Sequence, residues 1–497
     1  MDLLVCVGGG GQHIALAISR MVRLGVWTNV PNVLVIDADL TCKLAQRLRT
    51  FADPREAQGT ESNTAHAPHP IQRLRMEPPL ATAKAGDRFR ASYLGAHAGG
   101  GDNAGGLIEE ELFELFYNTQ ADGVDIQKGM AAQPSVGAAV FAELGISHLG
   151  ETLNGYFKQV DRVFVASSFI GGTGAGVTHQ LVKFLHESPY RGNRELYGTF
   201  LLPWLEIADG GQGAANDLTM INSAKHGIQA YIRETAPRLT KGMLVGAREN
   251  PTRADKDNDE SVSIYPLLAA YGLTTIAADT TGAHKGRSTG DNIFTLTSPG
   301  ANWRWLLEQK WDTGGKNHAS ATIAERWAAA IVVERIVAIF MDPQKGVEFR
   351  EVDGVAFKRT NLPLLPDRHP NWGTEIRYWI EKKGGKDTAL AAQVLQHLDA
   401  RMRQLKMVTG YLNAVFDAGA ESILSHAGDH KLQHRYEQRD KLTKEQAYGY
   451  LAASIQHRAN QLKSLRDDKS GADPAPLIAM MMEEALMEET LKGGVIQ

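Results

Sequence analysis

Two glycine-rich runs, each lying between an apolar segment and a helical pattern, constrain this chain more than any other feature. The first run, Gly8–Gly11, follows the apolar segment Leu3–Val7. The second run, Gly171–Gly176, follows Arg162–Ser167. A strand, a glycine turn and a helix in that order are typical of a parallel sheet covered by helices. The pattern predicts an α/β fold.

Length and composition suit a large multidomain protein. The chain has 497 residues, 43% of them hydrophobic and 22% charged, which excludes a disordered or collagen-like chain. We predict a nucleotide-binding domain over residues 1–279, with an insertion over about 49–106 that is rich in proline, glycine and histidine. Beyond it the alternation of strands and helices fades. The sequence predicts a divergent, largely helical second domain over 280–440 and a C-terminal helical extension over 441–497.

Charge and cysteine content exclude several functions. With 57 acidic and 53 basic residues the net charge is -4, so there is no strong nucleic-acid signal. The two cysteines, Cys6 and Cys42, cannot form a disulfide framework and favour a reducing compartment. The most apolar helical stretch, Trp327 to Met341, contains Glu334 and Arg335 and is too short to cross a bilayer. Together with the acidic N-terminus, these features predict a cytoplasmic protein without a membrane span.

The glycine runs are candidates for binding phosphate. A glycine turn before a helix lets backbone N–H groups face an anion at the positive end of the helix dipole. A tight turn that serves packing alone is the alternative; two such turns in one sheet favour phosphate. The Rossmann pattern fails because its third glycine falls at His13, and the Walker pattern fails because no lysine follows Gly176. A nicotinamide-dependent enzyme is therefore disfavoured.

Residues 164–176, with the sequence FVASSFIGGTGAG, closely resemble the signature loop of the tubulin/FtsZ superfamily, in which G-G-T-G-[ST]-G cradles the phosphates of GTP. Ala175 replaces the usual serine or threonine. The strand with its glycine run at the N-terminus, the acidic tip Asp37–Asp39 and the loop Gly129–Gly137 resemble further elements of that family, in the same order. The resemblance implies a tubulin/FtsZ-like parallel-sheet domain that binds GTP or GDP with Mg²⁺.

The resemblance also implies roles for individual residues. Asp39 would lie near the metal. The guanine base would be recognised by an Asn or Asp together with an aromatic residue, and Asn258 and Tyr265 are the candidates. The alternative is that these two are an ordinary loop residue and an ordinary residue at the start of a helix. A side chain at Gly174 is expected to weaken GTP binding while the fold persists. The implied phosphate contacts are Gly9, Gly10, Gly11 and Gln12 for the α- and β-phosphates, Ala131, Ala132 and Gln133 near the γ-phosphate, and Gly171, Gly172, Thr173, Gly174, Ala175 and Gly176 around the β- and γ-phosphates.

The family resemblance further implies self-association, into filaments, with GTP hydrolysis at the subunit interface. The N-x-D-x-x-D motif that supplies the catalytic acid in FtsZ does not follow Ala278, and Asp279 is the nearest candidate. The alternative is a nucleotide-gated scaffold or sensor, for example in a defence system, that recruits a partner through the C-terminal helices without significant hydrolysis. The predicted helix Pro476–Leu491 has a broad apolar stripe that must be covered by its own chain, the next subunit or a partner.

Overall fold

The fold is taken from a computed structural model, which describes most of the N-terminal half of the chain and selected segments beyond it. The described residues are 2–27, 30–52, 71, 73–78, 88–97, 103–117, 119–126, 130, 133–203, 205–207, 217–246, 252–254, 263–278, 293–296, 303–309, 311, 322–341, 350–352, 355–357, 388–420, 422–424 and 473–491.

Strands and helices alternate along much of the first 300 residues, and helices with one short pair of strands follow. The strands are β1 (Asp2–Val7), β2 (Asn32–Ile36), β3 (Arg73–Glu77), β4 (Arg162–Ser168), β5 (Glu195–Leu201), β6 (Leu205–Ile207), β7 (Lys241–Val245), β8 (Thr252–Ala254), β9 (Ile293–Leu296), β10 (Arg350–Val352) and β11 (Val355–Phe357). The α-helices are α1 (Gly8–Leu24), α2 (Lys43–Phe51), α3 (Phe89–His97), α4 (Asn103–Phe116), α5 (Thr119–Asp122), α6 (Pro134–Ala139), α7 (Ile146–Phe157), α8 (Gly172–Glu187), α9 (Asp217–Ala230), α10 (Tyr265–Ala278), α11 (Ile323–Met341), α12 (Thr388–Phe416) and α13 (Ala475–Leu491). Turns of π-helix follow α6 (Val140–Gly145) and α9 (Tyr231–Thr235), and 3-10 turns cover Ala236–Arg238 and Trp303–Glu308.

The central feature is a seven-stranded sheet in the order β3-β2-β1-β4-β5-β7-β9. Every pairing in it is parallel. The chain runs outward from β1 through β2 to β3, then returns to β4 on the other side of β1 and runs outward again. This confirms the predicted α/β class with a parallel sheet. The order reverses between β1 and β4, and open parallel sheets bind ligands at such a switch point, beyond the carboxyl ends of the strands.

Helices cover both faces of this sheet. On one face, Val163 and Val165 of β4 and Leu244 of β7 share a buried cluster with residues of α7 and α8. Met243 alternates with Leu244 along β7 and so points to the other face. There a Cβ placed on Gly272 of α10 would lie 2.0 Å from the sulfur of Met243, so α10 packs closely on that side. Burial of both faces explains why the inner strands β1 and β2 are mostly apolar, whereas edge strand β3 carries Arg73, Arg75 and Glu77.

A smaller core joins the segments that precede α6. Phe89 of α3 and Phe113 of α4 are buried against Met130 and Val136, and Ala38, which follows β2, belongs to the same cluster. The rings of Phe89 and Phe113 lie 5.5 Å apart between centroids. This cluster fixes the loop before α6 and the acidic tip after β2 with respect to one another.

The chain divides into two compact units. Unit 1 comprises Met1–Arg20, Asn29–Glu61 and His69–Asn302, and unit 2 comprises Met21–Thr28, Ser62–Pro68 and Trp303–Gln497. In unit 2 the helices α11, α12 and α13 pack on one another. None of the helices in the described ranges combines the length and the apolar character needed to cross a bilayer.

The last helix is buried in its own unit. Every side chain from Leu477 to Glu483 in α13 is almost inaccessible to solvent. The sequence leaves open whether the apolar stripe of this helix is covered by its own chain, by the next subunit or by a partner. In the structure its own unit covers it, as is expected for a helix that is apolar on every side. Buried Glu483 forms ion pairs with Arg23 and Arg401.

Candidate functional site

The two glycine turns meet at the switch point of the sheet. α1 begins at Gly8, directly after β1, and α8 begins at Gly172, after the carboxyl end of neighbouring β4. Gly8 and Gly171 have φ angles of +67° and +94°, which favour glycine. A Cβ placed on Gly8 would lie 2.7 Å from the backbone nitrogen of Gly174. The amino ends of two helices therefore lie side by side, which is a favourable environment for an anion.

Close packing accounts for several of the glycines. A Cβ on Gly10 would lie 2.3 Å from Cβ of Ser168, and one on Gly11 would lie 2.5 Å from the carbonyl oxygen of Ala166. A Cβ on Gly174 would lie 2.7 Å from the carbonyl oxygen of Ser168. A side chain at Gly174 would therefore distort the turn itself before it reached any ligand. This close contact argues against the expectation that the fold persists when Gly174 carries a side chain.

The residues before α6 form the third wall of the site. A Cβ on Gly172 would lie 2.4 Å from Cβ of Met130 and 2.9 Å from the backbone nitrogen of Gln133. The side-chain nitrogen Nε2 of Gln133 is buried and has no hydrogen-bond partner within the described part of the chain. A buried donor without an acceptor is costly, and a phosphate oxygen is one acceptor that would satisfy it. Ala131 and Ala132 lie outside the described residues.

Hydrogen bonds beneath the second turn hold it in place. The buried hydroxyl of Thr178 lies 2.7 Å from Oγ of Ser167 and also within hydrogen-bond distance of the carbonyl oxygen of Gly174. Ser167 in turn donates to the carbonyl oxygen of Val7, 3.2 Å away. The first helical turn of α8 is thereby tied to the carboxyl ends of β4 and β1.

The side chain of Gln12, a residue that the resemblance implies in phosphate binding, points to the segment after β2. It is fully buried, and its Nε2 donates to Oδ2 of Asp37 over 2.6 Å. The sulfur of Cys42 lies 3.7 Å from its Oε1. Burial is the main reason why the pKa of Cys42 rises to about 11. The amide of Gln12 thus links α1 to the segment after β2. Sequence reasoning missed this role of Asp37, although its place after an apolar strand was a usable signal.

The remaining predicted residues are placed as follows. Asp39 is half-buried, and its Oδ1 accepts hydrogen bonds from the backbone nitrogen and the hydroxyl of Thr41, at 3.0 and 2.9 Å. Tyr265 is buried at the start of α10, which packs on β5 and β7, and burial raises its pKa. Asn258 and Asp279 lie outside the described residues.

The backbone amides at the two helix amino ends and Nε2 of Gln133 are donors that suit an anionic group. Among the described side chains, no group of three or more His, Cys, Asp or Glu is arranged to hold a metal ion. Mg²⁺ is commonly held by one or two carboxylates together with phosphate oxygens and water. Asp39 after β2 is a carboxylate of that kind, so the residues present are compatible with Mg²⁺ that arrives with a nucleotide.

Comparisons with known proteins add little beyond this geometry. No protein-family model matches the chain, and no curated protein matches it. Among solved structures, the chain is similar to CetZ2 from Haloferax volcanii, in a GTPγS-bound protofilament, with 17% identity and a TM-score of 0.25. The match covers 49% of this chain and 48% of that one, so the chain spans about half the length of that protein.

Proposed function

We propose that this chain is a tubulin/FtsZ-like protein that binds GTP or GDP at the switch point between β1 and β4. The observation that carries the proposal is the meeting of the turns at Gly8 and Gly174, where two helix amino ends share one edge of the sheet. Backbone amides and the Nε2 of Gln133 supply donors there, as an anionic ligand requires.

The choice of guanine is supported by the resemblance of residues 164–176 to the signature loop of that superfamily. In this proposal Gly9 to Gln12 contribute backbone groups to the α- and β-phosphates, and residues 171–176 contribute theirs to the β- and γ-phosphates. Asp39 would help to hold the Mg²⁺ that accompanies the nucleotide. Asn258 and Tyr265 stay candidates for reading the base.

Self-association is the second part of the proposal, and it is supported by the same resemblance. Hydrolysis at the interface between copies, with Asp279 as the candidate acid, belongs to the proposal as well. The two buried cysteines without a disulfide favour a cytoplasmic, reducing location. The alternative, recruitment of a partner through the last helix, gains no support from α13, because that helix is buried in unit 2.

The test is nucleotide binding to the full chain, measured by calorimetry with GTP, GDP and ATP. Gln133→Met removes the orphaned donor at nearly constant volume. We expect it to lower the affinity for GTP by about 10-fold or more, the usual worth of a hydrogen bond to a charged group. Thermal stability without nucleotide should hold or rise, because an unsatisfied buried donor is removed.

Gln159→Met is the matched control, since Gln159 is exposed at the amino end of β4, away from the glycine turns. It should leave the affinity for GTP unchanged. Absence of GTP binding by the unmodified chain would refute the proposed site. Equal affinities for GTP and ATP would refute the choice of guanine.

A further inference from the structure

Three large apolar side chains on α4 are exposed on one stripe of the helix. Leu112, Leu115 and Phe116 have exposed fractions of 42%, 74% and 67%. Their spacing of three and four residues places them side by side. Phe113, on another side of the helix, is fully buried against Phe89. The helix is thus anchored on one side and leaves an apolar stripe in water on the other.

Glutamates border this stripe. Glu111 is exposed and lies four residues before Leu115, which makes the two side chains neighbours. Glu110 and Glu114 are exposed as well, and both contact Nη2 of Arg90, at 2.8 and 3.2 Å. Because Arg90 is a single positive charge beside the three negative charges of Glu110, Glu111 and Glu114, this surface is negative. We name the stripe with Glu111 the acidic patch.

A second surface has the opposite charge. Ile232, in the π-helical turn after α9, has an exposed fraction of 48%. Lys225 lies seven residues before it, on the same side of the helix, and Arg233 follows it; both are exposed. Exposed Glu234 follows Arg233, so two positive charges face one negative charge on this surface. Tyr231 of the same turn is fully buried in the core. We name Lys225, Ile232 and Arg233 the basic patch.

We propose that the acidic patch of one copy of this chain binds the basic patch of the next copy. The proposal rests on the self-association proposed above and assigns its surface. Four of the five large apolar side chains that are exposed in the described part of the chain lie in these two patches, and their charges are complementary. Contact would cover apolar surface that otherwise stays in water.

The two patches occupy different parts of unit 1. α4 lies in the connection from β3 to β4, and α9 lies in the connection from β5 to β7. β3 is at one edge of the sheet, whereas β5 and β7 lie beyond its centre. One copy can therefore use both patches at once. A contact between two different surfaces is head-to-tail, and its repetition gives a ring or an open filament.

A mixing experiment tests this arrangement. Phe116→Asp breaks the acidic patch and Ile232→Asp breaks the basic patch, and each variant alone should associate at least about 30-fold more weakly than the unmodified chain in sedimentation velocity with GTP. An equimolar mixture retains one intact pair of patches and should form 1:1 dimers that do not grow. Tyr190→Asp, at the fifth exposed apolar side chain, is the control and should leave association unchanged.

Charge reversal gives an independent measurement. Glu111→Arg or Arg233→Glu alone should weaken association by about 10-fold, and both together should restore it. Unchanged association in the single-patch variants, a mixture that stays monomeric, or no rescue by double reversal would overturn the interface. Calorimetry with GTP on the same proteins separates the causes. If GTP binding is normal and any of these three contrary results is observed, only the proposed interface is overturned. If the unmodified chain binds no GTP, the proposed function is overturned.

Discussion

Glu483 offers the sharpest test of how unit 2 is held together. Its carboxylate is buried in α13 and pairs with the guanidinium groups of Arg23 and Arg401. Arg23 also donates through Nη2 to the carbonyl oxygen of Arg401, 2.7 Å away. Glu483→Gln keeps the shape of the side chain and leaves two arginines without their counter-charge.

The size of the expected destabilisation follows from the pKa of Glu483. Burial by itself raises this pKa, but the two arginines outweigh burial and lower it from 4.5 to about 2. At ~1.4 kcal/mol for each factor of ten in proton affinity, the ionised carboxylate stabilises the folded state by about 3 kcal/mol. Removal of one partner from a buried ion pair typically costs ~3–5 kcal/mol of stability, which agrees with the value from the pKa. For a unit of this size, a loss of about 3 kcal/mol lowers the melting temperature by roughly 6–12 °C.

The assay is urea unfolding followed by tryptophan fluorescence, because Trp27, Trp311 and Trp327 are buried in unit 2. Asp399→Asn is the control. It removes the carboxylate of an exposed pair with Arg403, which should contribute less than about 1 kcal/mol.

The pH dependence provides a second readout. The folded-state pKa of Glu483 lies below the unfolded value, so its stabilisation is complete above about pH 5 and is lost as the pH falls toward 2. The free-energy difference between the unmodified chain and Glu483→Gln should therefore shrink over that range. The reasoning would be refuted if, at pH 7, Glu483→Gln lost no more free energy of unfolding than Asp399→Asn. It would also be refuted if the free-energy difference between Glu483→Gln and the unmodified chain did not depend on pH.

Two further predictions concern packing. Deletion of residues 473–497 should abolish the cooperative unfolding of unit 2 seen by fluorescence, because α13 supplies buried surface to α11 and α12; a sharp, unchanged transition would contradict this role. Gly10→Ala should destabilise unit 1 by ~1–3 kcal/mol, since its Cβ would lie 2.3 Å from Cβ of Ser168. The double variant Gly10→Ala/Ser168→Gly should recover part of that loss in thermal denaturation, and no recovery would place the strain elsewhere.

The α/β class and the position of the glycine turns could be predicted from the sequence, because both depend on local signals. An apolar run such as Leu3–Val7 is most stable when buried, and the helical pattern after it predicts a helix that packs back on the sheet; in the structure the glycine run itself forms the first turn of that helix. Nothing about distant residues is needed for either inference. The same holds for the second turn at Gly171, which adopts a positive φ.

The partners of these residues were decided by tertiary structure. That Gly8 faces Gly174, and that Gln12 donates to Asp37, depends on the register of β1 with β4 and β2, which no local pattern encodes. The burial of α13 is a stronger case. Its apolar residues are equally compatible with a partner, a second copy or its own chain, and the ion pairs of Glu483 with Arg23 and Arg401 join residues far apart in sequence. Local sequence determines which surfaces must be buried, and only the folded chain determines what buries them.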